Sequence, residues 1–278
     1  MTFYKIQINK IAIRLSCTLF LLCAVNSLNA QERLRVDYEI MEYMQLKSND
    51  DTASASIGTV GNGTLKHAKL MPYKGKNFIY FDRESYLAGR GFLHGLVRSS
   101  VLTTYDSLSR ALPHRYFNIM ECSNEDGGEM FPHKTHQNGM SIDFMMPLLQ
   151  NNKPYYGLDT IGAAHYLLNF DDEGKYSRDP SISIDFNLVA RKILLISYFA
   201  RQFGLNVTKV IIKIELKDEL FATEYGQLLK ASDIYVVQGL SPLINALHDD
   251  HFHLDFGFSY TKTPQAENTD ATNRVPAE

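Results

Sequence analysis

The stretch His248–Phe256, HDDHFHLDF, decides how the rest of the chain is read. Three of the nine histidines fall within its first six residues, with Asp249 and Asp250 between them. In a β-strand, side chains two apart point to the same face. His251 and His253 then share one face, and Phe252, Leu254 and Phe256 take the other. Imidazoles on one side and apolar groups on the other suit a metal site carried on a buried sheet.

The complementary stretch is His133–Pro147, HKTHQNGMSIDFMMP. His136 and Asp143 are seven residues apart. Fully extended chain would hold them roughly 23 Å apart, too far to share an ion. Asn138-Gly139 is a turn signal, and a reversal there brings Asp143 back beside His136. Ile142, Phe144 and Met146 alternate with Asp143 and Met145, which predicts a short half-buried strand carrying Asp143. Two imidazoles and one carboxylate, with a fourth position left for water, form the catalytic rather than the structural zinc pattern.

The 278 residues are 45% hydrophobic and 21% charged, an ordinary globular balance that supports one sizeable core. The net charge of −3 leaves no basic excess for nucleic acid or an anionic membrane surface. Lys5, Lys10 and Arg14 precede the apolar run Leu15–Val25, and Asn26–Ala30 follows it. Residues 1–30 therefore read as a secretory signal peptide, and an exported, periplasmic chain is expected. A membrane span needs about 20 apolar residues, more than this run supplies, so the mature chain is expected to have no transmembrane segment. Cys17 and Cys23 leave with the signal, and Cys122 alone cannot form an internal disulfide.

Residues 31–55 read as a lead-in, helical over Val36 to Gln45, and Ser56 to Gly75 as glycine-rich loops. Strands are expected at Asn77–Asp82, Arg115–Cys122 and Val207–Leu216. Helices are expected at Arg98–Leu112, stopped by Pro113, at Asp185–Phe203, capped by Asp185 and ended by Gly204, and at Lys217–Leu229. Asn151 to Asp179 reads as loop, and residues 261–278 as a disordered tail. One domain spans 56–260. Strands and helices mix without regular alternation, which predicts an α+β fold: a small, mainly antiparallel sheet with flanking helices carrying the zinc site.

With both histidine stretches in hand, the chain resembles the penicillin-insensitive murein endopeptidases, zinc peptidases related to the lysostaphin-type and D-Ala-D-Ala metallopeptidases. That group carries an H-x6-D pair and a late H-x-H, here His136…Asp143 and His251-Phe252-His253. The endopeptidase pattern H-x-x-H-Q-x-G is matched by His133 to Gly139, and H-D-x-H-F-H by His248 to His253. Ile57-Gly58, Asn62-Gly63, Leu65, Ala68, Leu70 and Gly75 look like the family's early segment. Arg191 and Val210–Ile214 look like the segment before the second motif. Three positions depart from the pattern: Ser141 stands where an aspartate is usual, Thr64 where a cysteine is expected, and Ser241–Asn245 replaces an approach rich in arginine and tryptophan.

The resemblance implies that His136, Asp143 and His253 hold Zn²⁺ and that cross-linked peptides of peptidoglycan are the substrate. His251, on the face of His253, is then placed to act as base or to stabilise an oxyanion, and His248 to share that work. For His248 the alternative is a hydrogen-bonded loop residue. Asp249, Asp250 or Asp255 would orient an imidazole through its second nitrogen. His133 is read as structural or as supporting the ligands. His67, His94, His114 and His165 have no supporting neighbours, and Cys122 is expected to be buried and inert. The reading is a metallo-endopeptidase of D-alanyl–meso-diaminopimelate cross-links. Its alternatives are a D,D-carboxypeptidase or dipeptidase on the same site, and a non-catalytic wall-binding protein with a structural metal.

Overall fold

The computed structural model describes residues 38–48 and 50–259. The expected signal peptide, its two cysteines and the expected tail lie outside the described residues, as does the first part of the lead-in. Within the lead-in, residues 38–46 are helical.

The fold is α+β, as predicted. Its centre is a five-stranded sheet in the order Leu205–Ile211, His251–Phe258, Ser141–Met145, Phe117–Ile119, Phe78–Tyr80. All neighbours are antiparallel except the last pair, which is parallel. The two strands that carry the motifs are adjacent. Their register sets His253 opposite Asp143, His251 opposite Met145 and Asp255 opposite Ser141. On the far side, Ile211 faces His253 and Lys209 faces Asp255.

The expected alternation is present, but Ser141–Met145 is buried at every position rather than half-buried. The sheet is covered on both faces. The apolar face, with Phe144 and Phe252 stacked at 5.3 Å, lies under the helices Gly95–Ala111 and Phe186–Gln202, which also pack on each other. The imidazole face is covered by the loop around His136 and by the 3-10 turn Gly162–Leu167.

Helix Phe186–Gln202 begins and ends as expected. The Asp185 carboxylate accepts from Leu188 N at 3.1 Å, and Gly204 leaves the helix with φ +73°. Leu188, Val189, Ile193 and Ile196 are buried, whereas Tyr198 points outward. Helix Gly95–Ala111 starts earlier than predicted, because His94 Nδ1 accepts from Leu96 N at 3.2 Å. A histidine is not among the favoured caps, so that start carried no signal.

Four further expectations are corrected. Ser56–Gly75 contains a hairpin, Ala55–Thr59 against Asn62–Lys66, with Gly58 opposite Gly63; facing glycines give little strand signal. Asn151–Asp179 supplies Lys153–Tyr155 and Lys175–Tyr176, which join Leu148–Gln150 and Asp179–Ile184 in a four-stranded antiparallel sheet. Strands of two or three residues are too short to show a period. The strand at Val207 ends at Ile211, and the following helix is split at Thr223, whose hydroxyl accepts from Gly226 N at 3.0 Å.

Candidate metal centre

The reversal between His136 and Asp143 is held by the backbone. Gln137 N donates to Val60 O at 3.0 Å, His94 N to Gly139 O at 2.9 Å, and Gly139 N to Ser123 Oγ at 3.1 Å. Gly139 has φ +76°, and a Cβ there would stand 2.7 Å from His94 N, so no other residue fits the turn. His136 itself has φ +71°. That left-handed conformation costs roughly 1–2 kcal/mol outside glycine, and here it delivers a fully buried ring to the sheet.

His136 Nε2 lies 3.2 Å from Asp143 Oδ2 and 3.1 Å from His253 Nδ1. His253 Nδ1 is 2.7 Å from Asp143 Oδ1. The residues nominated from the sequence as ligands, His136, Asp143 and His253, are therefore brought together. His253 Nε2 points the other way and donates to Asp255 Oδ1 at 2.6 Å. Ser141 Oγ donates to the same oxygen at 2.6 Å, and Lys209 Nζ to Oδ2 at 3.0 Å. A carboxylate behind a histidine fixes its tautomer and turns the other nitrogen toward a metal. Ser141, where the murein endopeptidase pattern that the sequence resembles has an aspartate, thus supplies a hydroxyl to Asp255 where a second carboxylate would repel it.

His133 comes closer than the sequence suggested. Its Nδ1 is 3.5 Å from Asp143 Oδ2, and its Nε2 pairs with Glu121. His133, His136 and Asp143 each offer an atom within 4.8 Å of the others, and this group could hold a metal ion. One buried atom fits that use. Asp143 Oδ2 makes no hydrogen bond. An oxygen this deep without a donor is costly, and a cation among the converging nitrogens would satisfy it. The N/O donor set suits borderline divalent ions.

The electrostatics agree. Burial opposes the charge on Asp143, but His136 and His253 outweigh it and hold the carboxyl well below its usual range. Burial would lower His253, yet Asp255 and Asp143 on either side push it up to about 10. Burial keeps His136 below its ordinary value despite Asp143.

His251 lies two residues from His253 on the same strand face. Its Nδ1 donates to Asp250 Oδ1 at 2.5 Å, leaving Nε2 without an assigned partner. Burial lowers His251 and Asp250 raises it more, so the net shift is upward. His248 lies tilted against it at 4.8 Å between ring centroids and donates from Nδ1 to Ile244 O at 2.6 Å. Burial and the His251 charge push His248 down to about 3, so it is neutral. Of the three candidate orienting aspartates, Asp250 serves His251 and Asp255 serves His253. Asp249 instead accepts from Phe170 N at 3.0 Å.

Three neighbours escaped the sequence reading. Glu121 accepts from Arg90 Nη1 and Ser85 Oγ, both at 2.9 Å, and pairs with His133. His165 Nε2 approaches Asp250 O at 3.2 Å. Tyr166 sets its ring edge-on to His251 at 5.5 Å. No spacing links any of them to the motifs; sheet pairing and the 3-10 turn bring them in. Cys122 is buried, and burial with the nearby Asp143 and Glu121 charges raises its thiol well above the ordinary value. No helix among the described residues is long and apolar enough to cross a membrane. No family model matches this chain, and no curated protein matches it.

Proposed function

We propose that this chain is an exported, zinc-dependent endopeptidase that hydrolyses D-alanyl–meso-diaminopimelate cross-links of peptidoglycan in the periplasm. The observation that carries the reading is a division of labour among imidazoles. His136 Nε2 and His253 Nδ1 converge on Asp143, whereas His251, on the same face, keeps one nitrogen outside that group. Zinc held by His136, Asp143 and His253 would acidify a bound water and polarise the scissile carbonyl. The motifs at His133–Gly139 and His248–His253 support the substrate class, and the segment 1–30 supports export.

The chain's own groups have distinct tasks. Asp250 fixes His251 with Nδ1–H directed at its carboxylate, so Nε2 is the nitrogen that takes and returns a proton. Neutral His248 packs on that ring and restrains its rotation. Asp255, itself held by Ser141 and Lys209, keeps His253 oriented.

The test incubates the mature chain from Gln31 with purified cross-linked muropeptide dimers, with and without chelator. Monomers that form only without chelator and return on zinc addition are the expected result. Release of terminal D-alanine alone would replace the reading with a carboxypeptidase. Intact dimers beside zinc-loaded protein would overturn the reading in favour of a wall-binding protein.

A further inference from the structure

The 3-10 turn Gly162–Leu167 carries no motif, yet it is fastened over the imidazole face. Ala163 N donates to Asp82 Oδ2 at 3.0 Å, and His165 Nε2 meets Asp250 O at 3.2 Å. Between these ties the Tyr166 ring is wedged edge-on against Phe81 at 5.7 Å and His251 at 5.5 Å. Its hydroxyl is buried and has no hydrogen-bond partner. Buried tyrosine hydroxyls ordinarily find one, and an unmade bond of this kind works against folding. The hydroxyl also sits within the fields of Asp143, of Glu121 behind His133, and of Asp250 behind His251. The ring thus lies against the histidine assigned to proton transfer, and the carboxylate charge of the metal group reaches its hydroxyl.

We infer that Tyr166 is a further catalytic residue: an unspent hydrogen-bond donor that the site keeps for the oxyanion developing on the scissile carbonyl. This rests on the endopeptidase reading above. A donor held in place by packing, with no bond to break beforehand, needs no reorganisation when charge appears, which is what such stabilisation requires. Burial and the surrounding carboxylates keep the phenol well above its ordinary value, so it stays protonated and can only give a hydrogen bond to an anion. His251 does not fill this role, because its task is to move the proton. The arrangement accepts a less stable fold in exchange for a ready donor, so stability and turnover respond in opposite directions when the hydroxyl is removed.

The experiment compares the mature protein with Tyr166→Phe in three measurements: melting of the metal-free protein, zinc affinity, and turnover of muropeptide dimers. The inference expects an unchanged or higher melting temperature and unchanged zinc affinity. It expects kcat to fall about 100- to 1,000-fold, the loss typical of one oxyanion donor, with KM nearly constant. A lower melting temperature would reveal a structural partner for the hydroxyl and overturn the inference. Unchanged kcat in Tyr166→Phe beside an active unaltered protein would overturn it while leaving the endopeptidase reading intact. Intact dimers with the unaltered protein overturn both.

Discussion

The strands Ser141–Met145 and His251–Phe258 bury ionisable groups on both faces, and the two faces do so in opposite ways. On one face, Asp143 and His253 meet at 2.7 Å, with Asp255, Ser141 and Lys209 behind them. On the other, the Lys192 amine is fully buried without a hydrogen-bond partner. Four rings surround it: Phe144 at 4.1 Å, Tyr105 and Phe117 at 5.2 Å, and Phe252 at 5.4 Å. Burial pushes Lys192 well below the ordinary lysine value. The same two strands thus face a charge network that is nearly complete and, from the helix Phe186–Gln202, a single amine whose charge burial disfavours. A network in which two imidazole nitrogens converge on one carboxylate is shaped for a ligand. A solitary buried amine is not, since nothing beside it would share an ion.

The comparison breaks most sharply at Asp143. Asp143→Ala leaves His136 and His253 facing each other without their carboxylate. A loss of about 3–5 kcal/mol is expected for removing one partner of a buried charge pair, together with loss of zinc uptake. Urea unfolding and metal analysis of the purified protein measure both. A loss below about 1 kcal/mol would show that the network is not coupled as the distances imply.

Lys192→Met tests the other face in the opposite direction. Methionine matches the stem and fills the ring-lined space without an amine to desolvate. The variant should be more stable at neutral pH by about 1–4 kcal/mol, the range found when buried ionic groups give way to apolar ones. Should it be destabilised, the four rings hold a charged ammonium through cation–π attraction, and the contrast between the faces disappears.

Asp255→Asn sharpens the account of the network without touching a nominated ligand. The amide can still meet His253 Nε2 but no longer matches the Ser141 and Lys209 donors in charge. Zinc affinity should fall about 10- to 100-fold, read by competition with a chromophoric chelator. Unchanged affinity would mean that Asp255 balances Lys209 and does not orient His253.

The subtlest difference lies in pH dependence of the metal-free protein. His253 rises from an ordinary 6.5 to about 10, so its stabilisation is complete below pH 6.5 and is lost as pH climbs through 10. Lys192 is lowered from 10.5; its destabilisation is absent above that value and grows as pH falls. As pH falls below 10 the two slopes oppose, each at most about 1.4 kcal/mol per pH unit. Lys192→Met removes one of them, so its metal-free stability should fall more steeply as pH rises toward 10 than that of the unaltered chain. Parallel curves from denaturant titrations would contradict the downward shift of Lys192.

How much was legible in the sequence follows from which interactions are local. The period of two in His251–Phe256 separates imidazoles from aromatics whatever the strand pairs with. Asn138-Gly139 announces the reversal that returns Asp143 to His136, and Asp185 and Gly204 mark both ends of a helix. These features depend on neighbours within a few residues, so the imidazole face of the last strand, the return of Asp143 to His136 and the bounds of that helix could be read directly, whereas the joining of His253 to that pair was expected from the resemblance. Glu121, His165 and Tyr166 could not. They reach the site through the antiparallel partner strand, a short 3-10 turn and a bond to Asp250 O, contacts that leave no period or spacing behind. Lys192 is a polar residue within the helix Phe186–Gln202; only the packing of two helices on the Phe144–Phe252 face buried it. Local periodicity therefore determined which residues could be ligands. The register of His253 against Asp143, and the burial that leaves Asp143 Oδ2 and the Tyr166 hydroxyl without partners, were decided by tertiary structure, because desolvation depends on everything packed around an atom and not on its place in the chain.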